Sequence, residues 1–255
     1  MLQKTAIITG ASRGIGRAIA LRLAVDGAHA MLCARDAALL AEVDGQIKGS
    51  GGKSDWISLD LREPEAPATL ASFAIAKTGR IDIVVNNAGA TKRGEFTELT
   101  DEDWADGFAL KLFGAVRLTR AVWPHLSAAK GSLINIGGTG GRTPGAEFAI
   151  GGSVNAALLS FTKAMAEVGI RDGVQVNAIN PGTIRTDRFR LRLEALARKH
   201  GCDLAEAERR FVEAAKITRI GEPEDIASLV SFVVREGRLL QGALLDMDGG
   251  VTKTI

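Results

Sequence analysis

Residues 5–25 read TAIITGASRGIGRAIALRLAV, and this stretch defines the first unit of the fold. An aliphatic run from Thr5 to Thr9 leads into a glycine-rich segment, after which apolar residues such as Ile19 and Leu23 recur at helical spacing. The run is typical of a buried strand and the spacing of a helix with one apolar face. The stretch therefore predicts a strand, a tight turn and a helix in direct succession.

The same alternation continues through the chain. Six further short aliphatic runs are separated by segments with helical periodicity, and they lie at His29 to Cys33, Asp55 to Leu59, Ile81 to Asn86, Ser132 to Ile136, Val174 to Ile179 and Ala243 to Met247. Parallel strands need long connections, and those connections are usually helices that cross in a right-handed sense. The pattern predicts an α/β fold, a doubly wound, Rossmann-like parallel sheet of about seven strands with helices on both faces.

Length and composition favour one domain over the whole of 1–255. With 255 residues, 46% of them hydrophobic, the chain can bury one large core, and it contains no internal repeat or linker. The one departure is the segment 187–216, which is rich in Arg and Glu and predicts two helices. We expect this segment to form a lid over a cleft.

Charge and targeting signals exclude several classes of partner. A formal net charge of +2 gives no general attraction to nucleic acid or to a membrane surface. No apolar run is long enough to span a bilayer, and residues 1–9 lack the features of a signal peptide, so a cytoplasmic location is expected. Cys33 and Cys202 are isolated, and the three histidines are far apart, so no metal site is predicted.

The glycine-rich turn has the spacing of a dinucleotide-binding loop. Gly10 permits the tight turn, Gly14 lets the backbone approach a pyrophosphate, and Gly16 allows close helix packing. Free N–H groups at the helix start would bind the phosphates. The predicted contacts are Gly10, Ser12, Arg13, Gly14, Ile15 and Gly16. The alternative is an ordinary glycine-rich turn without a ligand.

The end of the second strand favours NADP(H) over NAD(H) as cofactor. Many NAD-selective sheets place a carboxylate there, whereas this chain has Arg35. Arg35 and Arg13 could together clamp a 2′-phosphate. In the alternative, Arg35 only ends a strand in solvent, and Asp36 caps the next helix.

From end to end, the chain resembles the short-chain dehydrogenase/reductase family. The matching motifs are Asp60-Leu61, Asn86-Asn87-Ala88-Gly89, the segment 176–186, the segment 221–227 and Asp248-Gly249-Gly250. The resemblance implies further cofactor contacts at Asp60, Leu61, Asn87, Ala88, Gly89, Pro181, Gly182, Ile184 and Thr186. It also implies a homo-oligomer, a tetramer or dimer, formed through 101–126, 150–170 and the last strand.

The catalytic residues that the resemblance implies are missing. The family uses an Asn, a Ser, a Tyr and a Lys, and the matching positions here are Lys111, Gly138, Gly151 and Asn155. The whole chain contains no tyrosine. Because a positioned proton donor usually contributes about 10²- to 10⁴-fold to the rate, little standard reductase activity is expected.

Substitute groups are available near these positions. Lys111 and Asn155 have exchanged residue types relative to the family, which leaves open that the two side chains still meet. A partly buried Lys111 with a lowered pKa could act as acid or base, and Thr139 and Ser153 could bind an oxygen. The alternatives are that Lys111 only neutralises cofactor phosphate or extends to solvent, that Thr139 only ends a strand and that Ser153 only points to solvent.

The surroundings of the cleft bear on its substrate. Glycine pairs at 137–138, 140–141 and 151–152 predict a floor empty of side chains, which could admit a bulky substrate or offer N–H groups to an anion. Many basic residues are expected at the rim, namely Lys92, Arg93, Arg142, Arg185, Arg188, Arg190, Arg192, Arg198 and Lys199. They favour an anionic small-molecule substrate. The alternative is a solvated helix face with Phe189 and Leu193 turned inward.

Three hypotheses remain open from the sequence. The first is an NADP(H)-binding oxidoreductase that acts on a small carbonyl or hydroxyl compound with a non-standard active site. The second is a non-redox enzyme that uses the same cleft, and the third is a nucleotide-binding protein without catalytic activity.

Overall fold

The computed structural model, which describes residues 1 and 3–253, contains one seven-stranded sheet. The strand order is β3-β2-β1-β4-β5-β6-β7, and all neighbouring pairs are parallel. The strands are β1 (Thr5–Thr9), β2 (His29–Ala34), β3 (Lys53–Ser58), β4 (Ile83–Asn86), β5 (Ser132–Ile136), β6 (Gln175–Pro181) and β7 (Leu244–Met247). The predicted doubly wound α/β fold is confirmed.

Nine α-helices are found in the described part of the chain, and most of them connect successive strands. They are α1 (Gly14–Val25), α2 (Ala37–Gly49), α3 (Ala66–Thr78), α4 (Asp101–Phe108), α5 (Gly114–Ala129), α6 (Ala149–Asp172), α7 (Asp187–His200), α8 (Leu204–Ala215) and α9 (Pro223–Arg235). A π-helical turn, Ala109–Phe113, joins α4 to α5. None of the helices within residues 1 and 3–253 is long and apolar enough to cross a membrane.

The sheet separates two hydrophobic cores because consecutive strand residues point to opposite faces. Ile8 of β1 packs in the core shared with α1, α2 and α9, whereas Ile7 packs in the core shared with α3, α5 and α6. The central strands β1, β4, β5 and β6 are buried along their whole length. This explains their almost continuous aliphatic sequences.

The strand boundaries differ from prediction by one or two residues at the ends of several strands. β3 begins at Lys53, two residues earlier than expected, because its register follows β2, where His29 pairs with Lys53. β4 begins at Ile83, since Asp82 serves as a polar anchor whose carboxylate accepts from the Thr5 N–H at 2.9 Å. β6 continues to Pro181, which pairs with Met247.

A buried polar chain ties the middle of the sheet to α6. Asn86 Nδ2 donates to Asn135 Oδ1 at 2.9 Å, and Asn135 Nδ2 donates to Thr162 Oγ1, also at 2.9 Å. All three side chains are buried. Because buried amides are costly without partners, these bonds fix the position of α6 against β5.

We therefore expect Asn135→Ala to lower the free energy of unfolding by about 2–4 kcal/mol, since it creates a cavity and removes one hydrogen bond from each of two buried partners. Urea denaturation of both proteins measures the change. Ser160→Ala, at an exposed position of α6, is the control and should change stability by less than about 0.5 kcal/mol. A near-neutral Asn135→Ala would contradict this role.

Candidate active site

The turn after β1 can only be made with glycine at two of its positions. Gly10 has φ +66°, and a Cβ there would stand 2.9 Å from Asn87 Nδ2. A Cβ on Gly16 would collide with the carbonyl oxygen of Gly10. The first turn of α1 is therefore packed directly on the backbone that precedes it, as the glycine spacing predicted.

Thr9 and Asn87 join the carboxyl ends of β1 and β4. Thr9 Oγ1 accepts from the backbone N–H groups of Asn87 and Ala88, both at 2.9 Å. Asn87 Nδ2 donates to the carbonyl of Thr9 at 2.9 Å and to that of Gly10 at 3.3 Å. Asn87 was among the predicted residues, whereas the part played by Thr9 was missed. A hydroxyl residue directly before the glycine turn was the available signal.

The N-terminus of α1 lies next to Thr186, which belongs to the segment after β6. Arg13 is the N-cap residue and makes no side-chain hydrogen bond to the first turn, which leaves the N–H groups of that turn uncapped within the described residues. A Cβ on Gly14 would stand 3.2 Å from Thr186 Cγ2. The structure thus brings the predicted glycine turn and the predicted segment after β6 together.

Arg35 and Asp60 lie side by side at the ends of β2 and β3. Arg35 is 63% exposed, and its Nη1 stands 3.8 Å from an Asp60 carboxylate oxygen. Asp36 caps α2 by accepting from the Leu39 N–H at 3.1 Å. The alternative function of Asp36 as a helix cap is therefore confirmed.

The segment after β6 is held rigidly against the start of α9. Arg185 N donates to Gly221 O at 2.8 Å, and Gly221 N donates to Thr183 O at 2.9 Å. A Cβ on Gly182 would stand 2.7 Å from the Asp248 Cα, so this position also requires glycine. Pro181 and Ile184 are buried beneath the segment.

Lys111 lies in the π-helical turn and reaches the end of β5. Its Nζ donates to the carbonyl of Gly137 at 2.8 Å. Its stem packs on Gly89, where a Cβ would stand 2.9 Å from Lys111 Cδ. Burial, and then the nearby Arg188, lower the pKa of the Lys111 amine to about 8. Short π-helical segments often mark functional positions because they redirect a side chain.

Asn155 approaches the same turn from α6. It is 3% exposed, and a Cβ on Gly138 would stand 2.9 Å from its Nδ2. Its Oδ1 is buried without a hydrogen-bond partner. Within the described residues no hydrogen bond joins Asn155 to Lys111, so the two side chains flank the 137–138 turn without meeting directly.

The expectation that the floor of the cleft lacks side chains is wrong. A Cβ on Gly151 would collide with the ring of Phe148, and a Cβ on Gly140 would stand 2.7 Å from the same ring. The Phe148 ring therefore fills the space between the glycine pairs 140–141 and 151–152. The sequence reasoning missed Phe148 because the ring enters from a 3₁₀ turn, Ala146–Phe148, which precedes α6.

Thr139 and Ser153 differ in their access to the cleft. Thr139 directly follows Gly138 in a 3₁₀ turn, Thr139–Gly141, and is half-buried. Ser153 is exposed on α6, in agreement with the alternative interpretation of that residue. Only Thr139 is therefore kept as a candidate beside the 137–138 turn.

The segment 187–216, the predicted lid, packs on the rest of the protein through its apolar residues. Phe189 and Leu193 are buried in a third hydrophobic cluster with Ala197, Ala207 and Ile220, so the inward orientation considered for the first two is confirmed. Arg185 is bound to Glu208 through two bonds of 2.7 Å and to Glu222 at 2.9 Å. This residue anchors the segment and is not a free cation at the rim.

Alanine substitution of two helical glycines, Gly16 at the turn and Gly45 away from it, tests the close packing of the turn. We expect Gly16→Ala to lower the free energy of unfolding by about 2 kcal/mol or more, since the new methyl collides with backbone. Gly45→Ala, at an exposed position of α2 with nothing near its Cβ, should instead raise it by about 0.5–1 kcal/mol. Urea denaturation measures both, and equal effects would contradict the packing described.

Comparison with known proteins agrees with this geometry. The sequence profile of the family described as short chain dehydrogenase matches residues 4–196. An uncharacterized oxidoreductase of Mycobacterium tuberculosis is 36% identical over 252 residues, covering 98% of this chain and 92% of that protein. The 3-oxoacyl-[acyl-carrier-protein] reductase FabG of Pseudomonas aeruginosa is 34% identical over 252 residues, covering 97% of each.

A solved structure shows the same similarity over the whole fold. L-Sorbose reductase from Gluconobacter frateurii, in complex with NADPH and L-sorbose, superposes with a TM-score of 0.95. It is 32% identical, and the match covers 100% of this chain and 98% of the reductase chain. The motifs, the sheet order and the relatives of the present protein show that the chain belongs to the short-chain dehydrogenase family of oxidoreductases.

Proposed function

We propose that this protein is an NADP(H)-dependent oxidoreductase of a small carbonyl or hydroxyl compound in which the Lys111 amine moves the proton. The observation that carries the proposal is the position of Lys111 Nζ, 2.8 Å from the Gly137 carbonyl at the carboxyl end of β5. Ligands of open α/β sheets bind at this edge of the sheet. The Lys111 amine is thus a titratable group at the expected site of chemistry.

The cleft fits a dinucleotide. The uncapped start of α1 and the glycines that bring its backbone close to Thr186 suit a pyrophosphate. In this proposal Ser12, Arg13, Gly14, Ile15 and Gly16 would bind the phosphates through backbone N–H groups. Asp60, Leu61, Asn87, Ala88 and Gly89 would line the adenosine half of the cleft, and Pro181, Gly182, Ile184 and Thr186 the nicotinamide half. The bound cofactor would supply or accept a hydride.

NADP(H) is preferred because Arg35 is exposed and only loosely paired. Its 3.8 Å separation from Asp60 exceeds the normal length of a charge-assisted hydrogen bond. A 2′-phosphate would offer the guanidinium stronger bonds, and Arg13 is exposed on the neighbouring loop. The NADPH in the L-sorbose reductase complex supports this choice.

Lys111 would replace the missing phenol as the proton donor. The family positions assigned by resemblance hold Lys111, Gly138, Gly151 and Asn155, and the chain has no tyrosine. Since Phe148 fills the space above Gly151, a phenol supplied from elsewhere has no room there. A protonated Lys111 would donate to the substrate oxygen as the carbonyl becomes a hydroxyl, and the reverse reaction would return the proton to the amine.

Thr139 would donate its hydroxyl to the substrate oxygen, and Asn155 would bind a neighbouring hydroxyl group or water molecule. Thr139 is half-buried beside Gly138, and Asn155 offers a buried Oδ1 with no partner of its own. Such an acceptor is suited to a substrate hydroxyl or to a water molecule that the substrate contacts. These contacts would orient the oxygen toward the Lys111 amine.

The proposal extends to the organisation of the protein. We infer that residues 1–255 act as one domain and that 187–216 serve as the lid, anchored by Arg185. We also infer a homo-oligomer, a tetramer or dimer. Phe113, next to the predicted interface helix α5, is 46% exposed, as expected for an apolar residue that a second subunit covers.

A nucleotide-binding protein without catalysis is the second candidate, and a non-redox enzyme in the same cleft is the third. The ring of Phe148 at Gly151 favours both over a standard reductase, because Gly151 is the position where the resemblance implies the usual proton donor. Tight NADPH binding without oxidation of NADPH in the presence of any carbonyl compound would favour the second candidate. Conversion of a substrate without a change in cofactor absorbance would favour the third.

Arg35→Gln tests the choice of cofactor. We expect its Kd for NADPH to rise about tenfold or more, because one charged hydrogen bond contributes about 1.5–3 kcal/mol, while its Kd for NADH stays within about twofold. Fluorescence titration with each cofactor measures both constants. Lys48→Gln, an exposed cation on α2, is the control and should change neither. An equal loss for both cofactors would contradict a 2′-phosphate contact.

Lys111→Met tests the proton donor while keeping most of the side-chain volume. We expect turnover to fall about 10²-fold or more with cofactor Kd unchanged, measured as NADPH oxidation against a panel of small ketones, 2-oxo acids and sugars. In the unmodified protein, carbonyl reduction should decrease as pH rises through about 8, because the amine loses its proton, and alcohol oxidation should increase. Lys163→Met, exposed on α6, is the control. Unchanged turnover in Lys111→Met would refute the assignment.

A further inference from the structure

Seven of the basic side chains expected at the rim fall into two sets. Those of the first set are paired with carboxylates: Arg142 with Asp246, Lys92 with Asp103, Arg185 with Glu208 and Glu222, and Arg190 with Glu194. Arg93, Arg188 and Arg192 form the second set. Within the described residues, none of these three lies within ion-pair distance of a carboxylate. We call them the unpaired arginine cluster.

The unpaired arginines come from separate elements and face one another. Arg93 is on the loop after β4, and Arg188 and Arg192 are one turn apart on α7. Burial, and then the charges of Arg192 and Arg188, lower the pKa of Arg93, and only Glu147 acts in the opposite direction. Arg188 also lowers the pKa of Lys111. The cluster therefore creates a positive field that extends to the floor of the cleft.

Two of the guanidinium groups are held by aromatic rings. The guanidinium carbon of Arg93 stands 3.9 Å from the centroid of Phe148, and that of Arg192 stands 4.9 Å from the centroid of Phe211. Stacking fixes the plane of a guanidinium and leaves its N–H edge free to bind. Arg188 makes a long bond of 3.4 Å to the Gly89 carbonyl, which places it beside the stem of Lys111.

The position of Phe148 connects the cluster to the site of chemistry. One ring contacts both Gly140 and Gly151 at the floor and carries the Arg93 guanidinium on its face. The loop that bears Arg93 is also tied to this region, because Gly94 N donates to Glu147 O at 3.2 Å. The Arg93 guanidinium and the glycines at 140 and 151 are therefore in contact with the same ring, which places the cluster next to the turn that follows β5.

Simple solvation explains the cluster less well. The same helix pairs Arg190 with Glu194, whereas Arg188 and Arg192 have no carboxylate within ion-pair distance among the described residues. Three like charges gathered beside a fourth basic group repel one another, and an anion would remove that repulsion. Planar carboxylates and phosphates match the paired N–H groups of arginine in particular.

We propose that Arg93, Arg188 and Arg192 bind a carboxylate or phosphate group of the substrate, so that the substrate is a small organic anion whose carbonyl or hydroxyl carbon lies at the 137–138 turn. The placement of the reacting carbon rests on the proposed function. The anion site itself depends only on the three arginines and on the rings that hold them.

Calorimetric titration of the NADP⁺-saturated protein tests the site, since bound cofactor occupies the other phosphate-binding region. The probes are 2-oxoglutarate, inorganic phosphate and the uncharged dimethyl ester of 2-oxoglutarate. We expect at least one anion to bind and the diester to show no binding. Added NaCl should raise the Kd of the anion, because salt screens its attraction to the arginines. The tighter of the two anions identifies the group as a carboxylate or a phosphate.

Variants locate the binding. Arg93→Gln and the double variant Arg188→Gln/Arg192→Gln should each raise the Kd of the anion about tenfold or more, whereas Arg190→Gln on the same helix should stay within about twofold. Thermal unfolding confirms that each variant is folded. Arg93→Lys keeps the charge and loses the planar fork, so its Kd should lie between those of the unmodified protein and Arg93→Gln.

Two outcomes overturn the inference: no binding of either anion, or binding that Arg93→Gln and the double variant leave unchanged. Failure of the proposed function gives a different result. If NADP⁺ does not bind, the same titrations in an Arg35→Gln background, which removes an exposed arginine at the end of β2, still report on the cluster. Anion binding lost in the cluster variants without any turnover would support the site and reject the oxidoreductase.

Discussion

The carboxyl ends of β1 and β4 are joined by hydrogen bonds between Thr9 and Asn87, and the site depends on this junction. The amide of Asn87 donates to the carbonyls of Thr9 and Gly10, while the hydroxyl of Thr9 accepts two backbone N–H groups in return. The bonds set the shape of the glycine turn and the course of the chain toward Gly89. Because the Lys111 stem packs on Gly89, the nucleotide turn and the proposed proton donor share one support.

The residues around the 137–138 turn and Gly151 are closely packed. Glycine at position 151 leaves a space, and Phe148 fills it from the preceding turn. Lys111 and Asn155 approach the 137–138 turn from opposite sides, one bonded to a carbonyl and the other with a free buried oxygen. Buried polar groups normally find partners, so the unsatisfied Asn155 oxygen marks the position where a ligand or water would bind.

The basic residues differ in their roles according to whether they are paired with a carboxylate. Arg185 uses its guanidinium to anchor the lid segment to Glu208 and Glu222. Among the residues that the structure describes, Arg93, Arg188 and Arg192 lack such partners, and Arg93 and Arg192 stack on Phe148 and Phe211. The net charge of the chain, +2, conceals this local field because the paired residues cancel one another.

The sequence by itself determined the sheet, the turn and the family. Strand runs separated by helical periods permit few topologies, and the spacing of the glycines at 10, 14 and 16 indicates a tight turn between strand and helix. Counting along the motifs also located Gly151 at the position where the resemblance implies a tyrosine. These features can be identified from residue order and spacing alone.

Only the tertiary structure shows what surrounds Gly151. The entry of Phe148 into the space above Gly151, the 2.8 Å bond from Lys111 to Gly137 and the unbonded oxygen of Asn155 each join separate segments. Which arginines are paired also depends on side chains far apart in the chain, as with Arg185 and Glu222. Such contacts follow from how helices pack on the sheet, and residue spacing carries no record of that packing.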